Sequence, residues 1–245
     1  MNSIAFLWVG EDTEIPCRLV ESIQLIMGNT VEIVQLTDEK TPQVIGVTSV
    51  QRLELSPYIM VARLQAYSQY KASTDVTFFC DADSLFIKPL ELSFAASAIL
   101  LSKRNIAIGN VDGLINDRYP EFYPEFTGKR FGEVMPFLFG AIAVRGDQST
   151  FFSSLLKVCL ELPLRFHRWY GDQYALASMV TNNLFDYGNL DLEKHLVIVK
   201  SEMSSGQLSL LRNAGVQMIT FKGAESKTYM AGTLSELHEL ISTRI

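Results

Sequence analysis

Three short apolar runs, at residues 4–9, 31–36 and 76–80, are separated by helical periodicities within the first third of this 245-residue chain. Each is short, rich in β-branched and aromatic residues, and therefore reads as a strand. The first and third are almost continuously apolar, the pattern of strands covered on both faces. After the first run, Pro16 suits the opening turn of a helix through Met27. Leu19, Val20, Ile23, Ile26 and Met27 form its inner face, and Gly28-Asn29 ends it. Ser56-Pro57 opens a second helix with Met60, Val61, Leu64 and Tyr67 facing inward. Strand, helix, strand, helix, strand in this order predicts an α/β fold with a mixed, mostly parallel sheet flanked by helices.

The second half is less regular. Residues 137–144 read as a strand, 150–160 and 172–180 as helices, and 196–199 and 216–221 as strands. Thr233-Leu234-Ser235-Glu236 is a capping-box pattern for a terminal helix. Residues 109–136 are rich in Gly, Pro and aromatics and include the tandem Tyr119-Pro120-Glu121-Phe122, Tyr123-Pro124-Glu125-Phe126. Loops this long in compact domains are usually functional or mobile, and residues 113–135 are expected to form an acceptor loop or lid. No linker divides the chain, so one domain over 1–245 is expected.

Composition narrows the function classes. With 48% hydrophobic and 20% charged residues the chain buries a substantial core and is not disordered. A net charge of −6 without any Lys/Arg-rich run argues against nucleic acid as a partner. Cys17, Cys80 and Cys159 are odd in number, far apart and set among apolar neighbours, the usage of reduced core thiols in a cytoplasmic protein. The first nine residues are too short an apolar run for a signal peptide, and no run is long enough to span a membrane. Peripheral association at the inner membrane face stays open.

The chemistry gathers where the third strand ends, at Asp81-Ala82-Asp83. Alternation along a strand lets residues i and i+2 point the same way. Two adjacent carboxylates repel unless a cation or shared proton compensates, and a hard divalent ion, Mn2+ or Mg2+, bridging them to a diphosphate resolves this. Parallel sheets collect ligands at the carboxyl ends of their strands, where this pair lies. Arg63 sits on the preceding helix, with a reach suited to phosphate. Asp172-Gln173 opens a later helix, where Asp172 also suits a plain N-cap. Lys222-Gly223 and Lys227 follow the last strand, a cationic loop able to approach phosphate closely.

Taken in order, Ala62-Arg63-Leu64, Asp81-Ala82-Asp83, Asp172-Gln173 and Gly223 with Lys227 make the chain resemble the GT-A nucleotide-sugar glycosyltransferases. It resembles in particular the glycogenin-like and bacterial lipooligosaccharide galactosyltransferase group, matched from Ile4 to about residue 230. The resemblance implies a single GT-A domain, with a donor-binding part over about 1–100 and an acceptor side over about 101–245. It implies a metal-dependent hexosyltransferase, retaining in stereochemistry, acting on a nucleotide-diphosphate sugar (UDP-sugar favoured) and a glycan, lipid-linked or protein acceptor. Polysaccharide biosynthesis is the implied setting. Asp81 and Asp83 would hold the metal, and Arg63, Ala82, Gly223 and Lys227 would contact the donor. Asp172 and Gln173 would face the transferred sugar, and Leu7, Trp8 and Val9 would line the nucleobase pocket.

Two positions depart from that pattern. The metal-binding histidine of the last motif falls at Thr220, a poor ligand, and His167, His195 and His238 read as structural or exposed. The Asn-Ala-Gly position is occupied by Leu138-Phe139-Gly140-Ala141, with Asp112 a weak substitute for the sugar contacts. Two other readings compete. A phosphatase of the haloacid-dehalogenase type also places Asp-x-Asp after a strand, but near its N-terminus and with a later acidic pair that is missing here. The other is a non-catalytic nucleotide-sugar or glycan-binding protein of the same fold, to which Thr220 lends support.

Overall fold

The computed structural model describes residues 2–103, 126, 128–190 and 197–243. Strands β1 (Asn2–Leu7), β2 (Val31–Thr37), β3 (Ser49–Arg52) and β4 (Val76–Cys80) form the parallel half of a sheet. Helix α1 (Glu14–Met27) follows β1, and α2 (Ile59–Gln69) precedes β4. β5 (Ser84–Phe86) leaves for a second sheet, whereas β6 (Ile99–Lys103), β7 (Phe137–Arg145) and β8 (Gly188–Leu190) return to the first. The main sheet then runs β3-β2-β1-β4-β7-β6-β8, with β7 antiparallel to both β4 and β6. The second sheet pairs β5 with β9 (Val197–Val199) and β10 (Met218–Phe221) in the order β5-β10-β9. Among the described residues the further α-helices are α3 (Phe131–Val134), α4 (Ser149–Glu161), α5 (Leu164–Arg168), α6 (Gly171–Thr181), α7 (Ser205–Asn213), α8 (Ala224–Thr228) and α9 (Met230–Ser242).

Strand alternation divides the core into two layers. Ile4, Phe6, Phe78 and Cys80 face Leu19, Val20 and Ile23 of α1 and Leu234 and Leu237 of α9. Ala5, Leu7, Phe79, Phe139 and Ile142 face Val61 and Leu64 of α2, Phe152 and Leu155 of α4, and Leu176 of α6. Both faces of β1 and β4 are thus covered, which is why residues 4–7 and 78–80 carry no charged or amide side chain. Phe79 sits at the hub of the second layer, its ring 4.2 Å from that of Tyr67 and 5.1 Å from that of Phe152. Burying an aromatic of this size contributes about 2–3 kcal/mol.

Some boundaries differ from expectation. β1 stops at Leu7, so Trp8 and Val9 lie beyond the strand. The capping box assigned to Thr233 is not one, because α9 begins at Met230. Helix α8 turns into α9 at Tyr229, which keeps helical dihedrals, and no separate cap is needed there. The Thr233 hydroxyl instead accepts from the Met203 amide at 3.1 Å. A capping box is present at Ser204 and Gln207, at the start of α7. Asp112, His195 and the tandem at 119–126 apart from Phe126 lie outside the described residues, as does most of the expected lid at 113–135. Phe126 is buried, its ring 5.7 Å from that of Phe166 and 5.5 Å from that of Tyr174. Among the described residues no helix is long and apolar enough to cross a membrane.

Candidate active site

The aspartate pair sits where the two sheets meet. Asp81-Ala82-Asp83 is the bend that carries the chain from Cys80, the end of β4, to Ser84, the start of β5. The two carboxylates are therefore brought together by a bend, not by the pleat of one strand. Backbone bonds hold it at both ends: the Asp81 amide donates to the Gly140 carbonyl on β7 at 3.1 Å, and the Phe221 amide on β10 donates to the Asp83 carbonyl at 2.8 Å. Ala82 between them is buried in the first core layer.

Three cations converge on this bend from three elements. Arg63 of α2 places Nη1 3.4 Å from Asp81 Oδ1 and 3.0 Å from Asp172 Oδ2. Its guanidinium carbon lies 5.8 Å from the centre of the Phe139 ring, a cation–π contact. Lys222, directly after β10, bridges the pair: Nζ donates to Asp81 Oδ2 and, at 2.8 Å, to Asp83 Oδ1. Lys227 of α8 lies 3.2 Å from Asp83 Oδ2. All four oxygens of the aspartate pair thus face a fixed cation.

Asp172 enters in the first turn of α6 and is fully buried. Its Oδ1 accepts from the Gln173 amide at 2.7 Å, and Oδ2 pairs with Arg63 in an ionic contact without hydrogen-bond alignment. The turn before it is strained: Tyr170 holds φ 68°, a conformation rare for a bulky residue. Gly171 must be a glycine, because a methyl there would overlap the Phe166 carbonyl oxygen and sit 2.9 Å from Cys159 Sγ.

Protonation follows from this packing. Burial pushes the Asp81 carboxyl up, but Lys222 and Arg63 more than reverse it and hold it well below the usual carboxylate range. Burial likewise disfavours the charged Lys222, yet Asp81 and Asp83 raise its pKa above that of a free lysine. Arg63 is also raised, burial being outweighed by Asp81 and Asp172. Asp172 goes the other way: burial raises it, and Arg63 only partly compensates.

The remaining expected residues lie around this cluster. The register that pairs Ala5 with Phe79 sets the end of β1 beside Asp81. Leu7 there is buried, Trp8 is half-buried with Nε1 donating to the Asp12 carbonyl at 2.8 Å, and Val9 is exposed. Gly223 opens α8 at φ 92°, a left-handed conformation that favours glycine. His238 lies elsewhere, paired with Glu21 at 2.7 Å, and His167 is near Tyr58. A 740 Å³ cavity at the opposite end of β4, lined by Tyr67, Thr77, Gly146 and Phe152, contains none of the charged site residues.

Two participants were not assigned from sequence. Lys222 had been only one of two lysines in a loop, although a lone charge two residues after Thr220 at a strand end is a visible signal. Gly140 stood only as a departure from the family pattern. A methyl on it would lie 2.5 Å from Asp81 Oδ2, so the missing side chain is what lets Asp81 lie against β7.

The donor set does not fit Mn2+ or Mg2+ as it stands. Such an ion takes about six oxygen ligands, at about 2.0–2.1 Å for Mg2+, whereas every oxygen of Asp81 and Asp83 is engaged by a cation. Thr220, where a third ligand was expected, is fully buried. Its hydroxyl accepts from Ser84 at 3.1 Å and donates to the Asp83 carbonyl at 3.2 Å and to Asp83 Oδ1 at 3.3 Å. No group of three or more His, Cys, Asp or Glu suited to a metal occurs among the described residues.

No protein-family model and no curated protein sequence matches the chain. In three dimensions it superposes on the galactosyltransferase LgtC, solved in complex with donor and acceptor sugar analogues (TM-score 0.55, 14% identity, 98% of this chain and 95% of that one). It also superposes on the apo structure of the bifunctional glycosyltransferase WbbM (TM-score 0.54, 15% identity), covering 97% of this chain and 51% of that one. The apo glycosyltransferase GlyE from Streptococcus pneumoniae TIGR4 gives a TM-score of 0.57 at 10% identity, over 99% of this chain and 62% of that one. The chain therefore has the GT-A fold that its motifs resembled. At such identities the likeness is one of fold, and function is argued from the site.

Proposed function

We propose that the chain is a glycosyltransferase that moves a sugar from a nucleotide-diphosphate donor, a UDP-sugar by preference, to a glycan or lipid-linked acceptor. One observation carries this reading. Arg63, Asp81, Asp83, Asp172, Lys222 and Lys227, from distant parts of the chain, meet at the carboxyl end of β4 on a GT-A fold. Ligands collect at such strand ends, and two lysines that keep N–H donors beyond those given to Asp81 and Asp83 can bind an anion flanked by a neutral sugar.

In this reading residues 1–245 act as one catalytic unit, with the donor held by about 1–100 and the acceptor by the remainder. The end of β1, from Leu7 to Val9, receives the base, while Lys222 and Lys227 face the diphosphate, with Gly223 letting the backbone approach. Gln173 faces the sugar, and the buried Asp172 beside it holds Arg63 and lends negative charge toward the anomeric carbon as positive charge develops there. The bond from that carbon to the diphosphate oxygen breaks, its electron pair going to the phosphate. The acceptor oxygen bonds to the same carbon, and its proton passes to the departing diphosphate. Retention of configuration belongs to the proposal, as does an acceptor presented from the cytoplasmic side.

The phosphatase reading is not favoured. A nucleophilic aspartate needs an approachable oxygen, but both Asp81 oxygens are held by Arg63 and Lys222. A panel of UDP- and GDP-sugars, each assayed with Mn2+ and with EDTA for nucleotide release and sugar transfer, tests the proposal. We expect turnover of one donor; no turnover and no nucleotide binding in either condition would refute it.

A further inference from the structure

We infer that the Lys222 ammonium takes the place of a divalent cation at Asp81 and Asp83, so that the diphosphate of the donor is bound without metal. The identity of the anion rests on the glycosyl-transfer reading; the exclusion of metal rests on geometry alone.

Lys222 is not a surface lysine that happens to fall across two acids. Its backbone is pinned beside them, because Thr220 pairs with Ser84 and the Phe221 amide donates to the Asp83 carbonyl at 2.8 Å. From there the side chain reaches back across the bend and donates to one oxygen of each carboxylate. Gly140 shapes the opposite wall: a methyl there would lie 2.5 Å from Asp81 Oδ2 and 3.6 Å from Lys222 Nζ. The absent side chain and the bridging ammonium occupy one small space and fit each other.

An ammonium carries three N–H donors. Two are spent on Asp81 and Asp83, and the third is left for a phosphate oxygen, the same bridge from carboxylate to diphosphate that a metal makes. Lys227, on Asp83 Oδ2, adds a second cation on the neighbouring side. A divalent ion entering here must expel Lys222, which leaves the ion, Arg63 and Lys227 with four positive charges against three carboxylates that the present three cations already balance. It would gain no third protein ligand, since the Thr220 hydroxyl is committed to Asp83. The histidine absent from position 220 and the lysine present at position 222 are thus two halves of one substitution.

Two measurements test this on the full chain. In the first, Mn2+ is titrated into the metal-stripped protein and the free ion followed by electron paramagnetic resonance, alone and with UDP. The wild type is expected to leave the Mn2+ signal unquenched, whereas Lys222→Met, which frees one oxygen of each carboxylate, creates a site. In the second, UDP binding is followed by calorimetry in EDTA. Wild-type binding persists, Lys222→Met weakens it at least tenfold, Mn2+ restores affinity to that variant, and Lys222→Arg retains metal-free binding. Circular dichroism checks that each variant is folded. Quenching of Mn2+ by the wild type that Asp83→Asn removes, or wild-type UDP binding that needs Mn2+, overturns the inference. If no nucleoside diphosphate binds in any condition, the glycosyl-transfer reading and the diphosphate half of the inference both fall, while the Mn2+ titration still decides whether Lys222 excludes metal.

Discussion

Replacing Arg63 with methionine is the most direct perturbation of the site, because it keeps the apolar stem near Phe139 and removes only the charge. In the folded protein that charge lies 3.0 Å from the fully buried Asp172 and 3.4 Å from Asp81. Removing one partner of a buried pair costs about 3–5 kcal/mol, most of it the price of the charge left behind. Asp81 keeps Lys222, so the orphan is Asp172, which escapes part of the penalty by taking a proton. About 3 kcal/mol of destabilisation at pH 7.5 is expected, close to a 1 M shift in urea midpoint for a slope of about 3 kcal/mol per M.

The pH dependence carries the decisive sign. Burial already raises the Asp172 pKa above that of an ordinary carboxylate, and without Arg63 it rises further. The folded state then binds more protons than the unfolded one, so stability falls as pH rises from about 4 through the raised pKa. The Arg63→Met penalty is therefore largest at neutral pH and shrinks toward pH 5. Urea unfolding followed by circular dichroism at pH 7.5 and 5 measures it, and Asp172→Asn in the same background should recover at least about 1.5 kcal/mol at pH 7.5. A penalty that is constant with pH, or that adds to Asp172→Asn without recovery, would refute the assignment of Asp172 as the orphaned charge.

The other predictions test separate parts of the argument. Asp83→Ala should abolish sugar transfer, by at least about 100-fold, while leaving a cooperatively folded protein, as donor assays and thermal unfolding together will read. Gly171→Ala puts a methyl into the Phe166 carbonyl and should cost about 3 kcal/mol or more in chemical denaturation, since backbone must move. Ser204→Ala removes the cap of α7 and should cost about 1 kcal/mol by the same measurement, with transfer unchanged. Burial pushes the Cys159 thiol up to about 12, with Asp172 adding to it, and raises Cys80 as well. A thiol reagent at pH 8 should therefore modify the partly exposed Cys17 first and reach the other two only on unfolding.

Much of the first hundred residues was legible because the signals there are local. The strands at Asn2–Leu7 and Val76–Cys80 lie close to where apolar runs place them, and α1 ends where Gly28 stops the pattern. Both faces of these strands are buried, so composition alone marks them. Arg63, Asp81, Asp83, Asp172 and Lys227 were each nameable from motif order, and the structure brings all five together. The second sheet was less legible, because β5 is a three-residue strand whose partner β10 lies more than 130 positions away. Nothing within Ser84-Leu85-Phe86 announces that pairing. Ser204 with Gln207 and Thr233 with Glu236 both fit the capping-box spacing, and only the run of α8 into α9 makes the second unnecessary.

The sequence by itself determined that two carboxylates would stand at the end of a buried strand and need a compensating positive charge, since like charges at that spacing repel wherever they are held. The tertiary structure alone decided which charge that is. Pairing β10 against β5 carries Lys222 onto both aspartates, and leaving position 140 without a side chain makes the room. Neither fact is local: the lysine lies 139 residues from Asp83, and only the closure of the second sheet sets its distance.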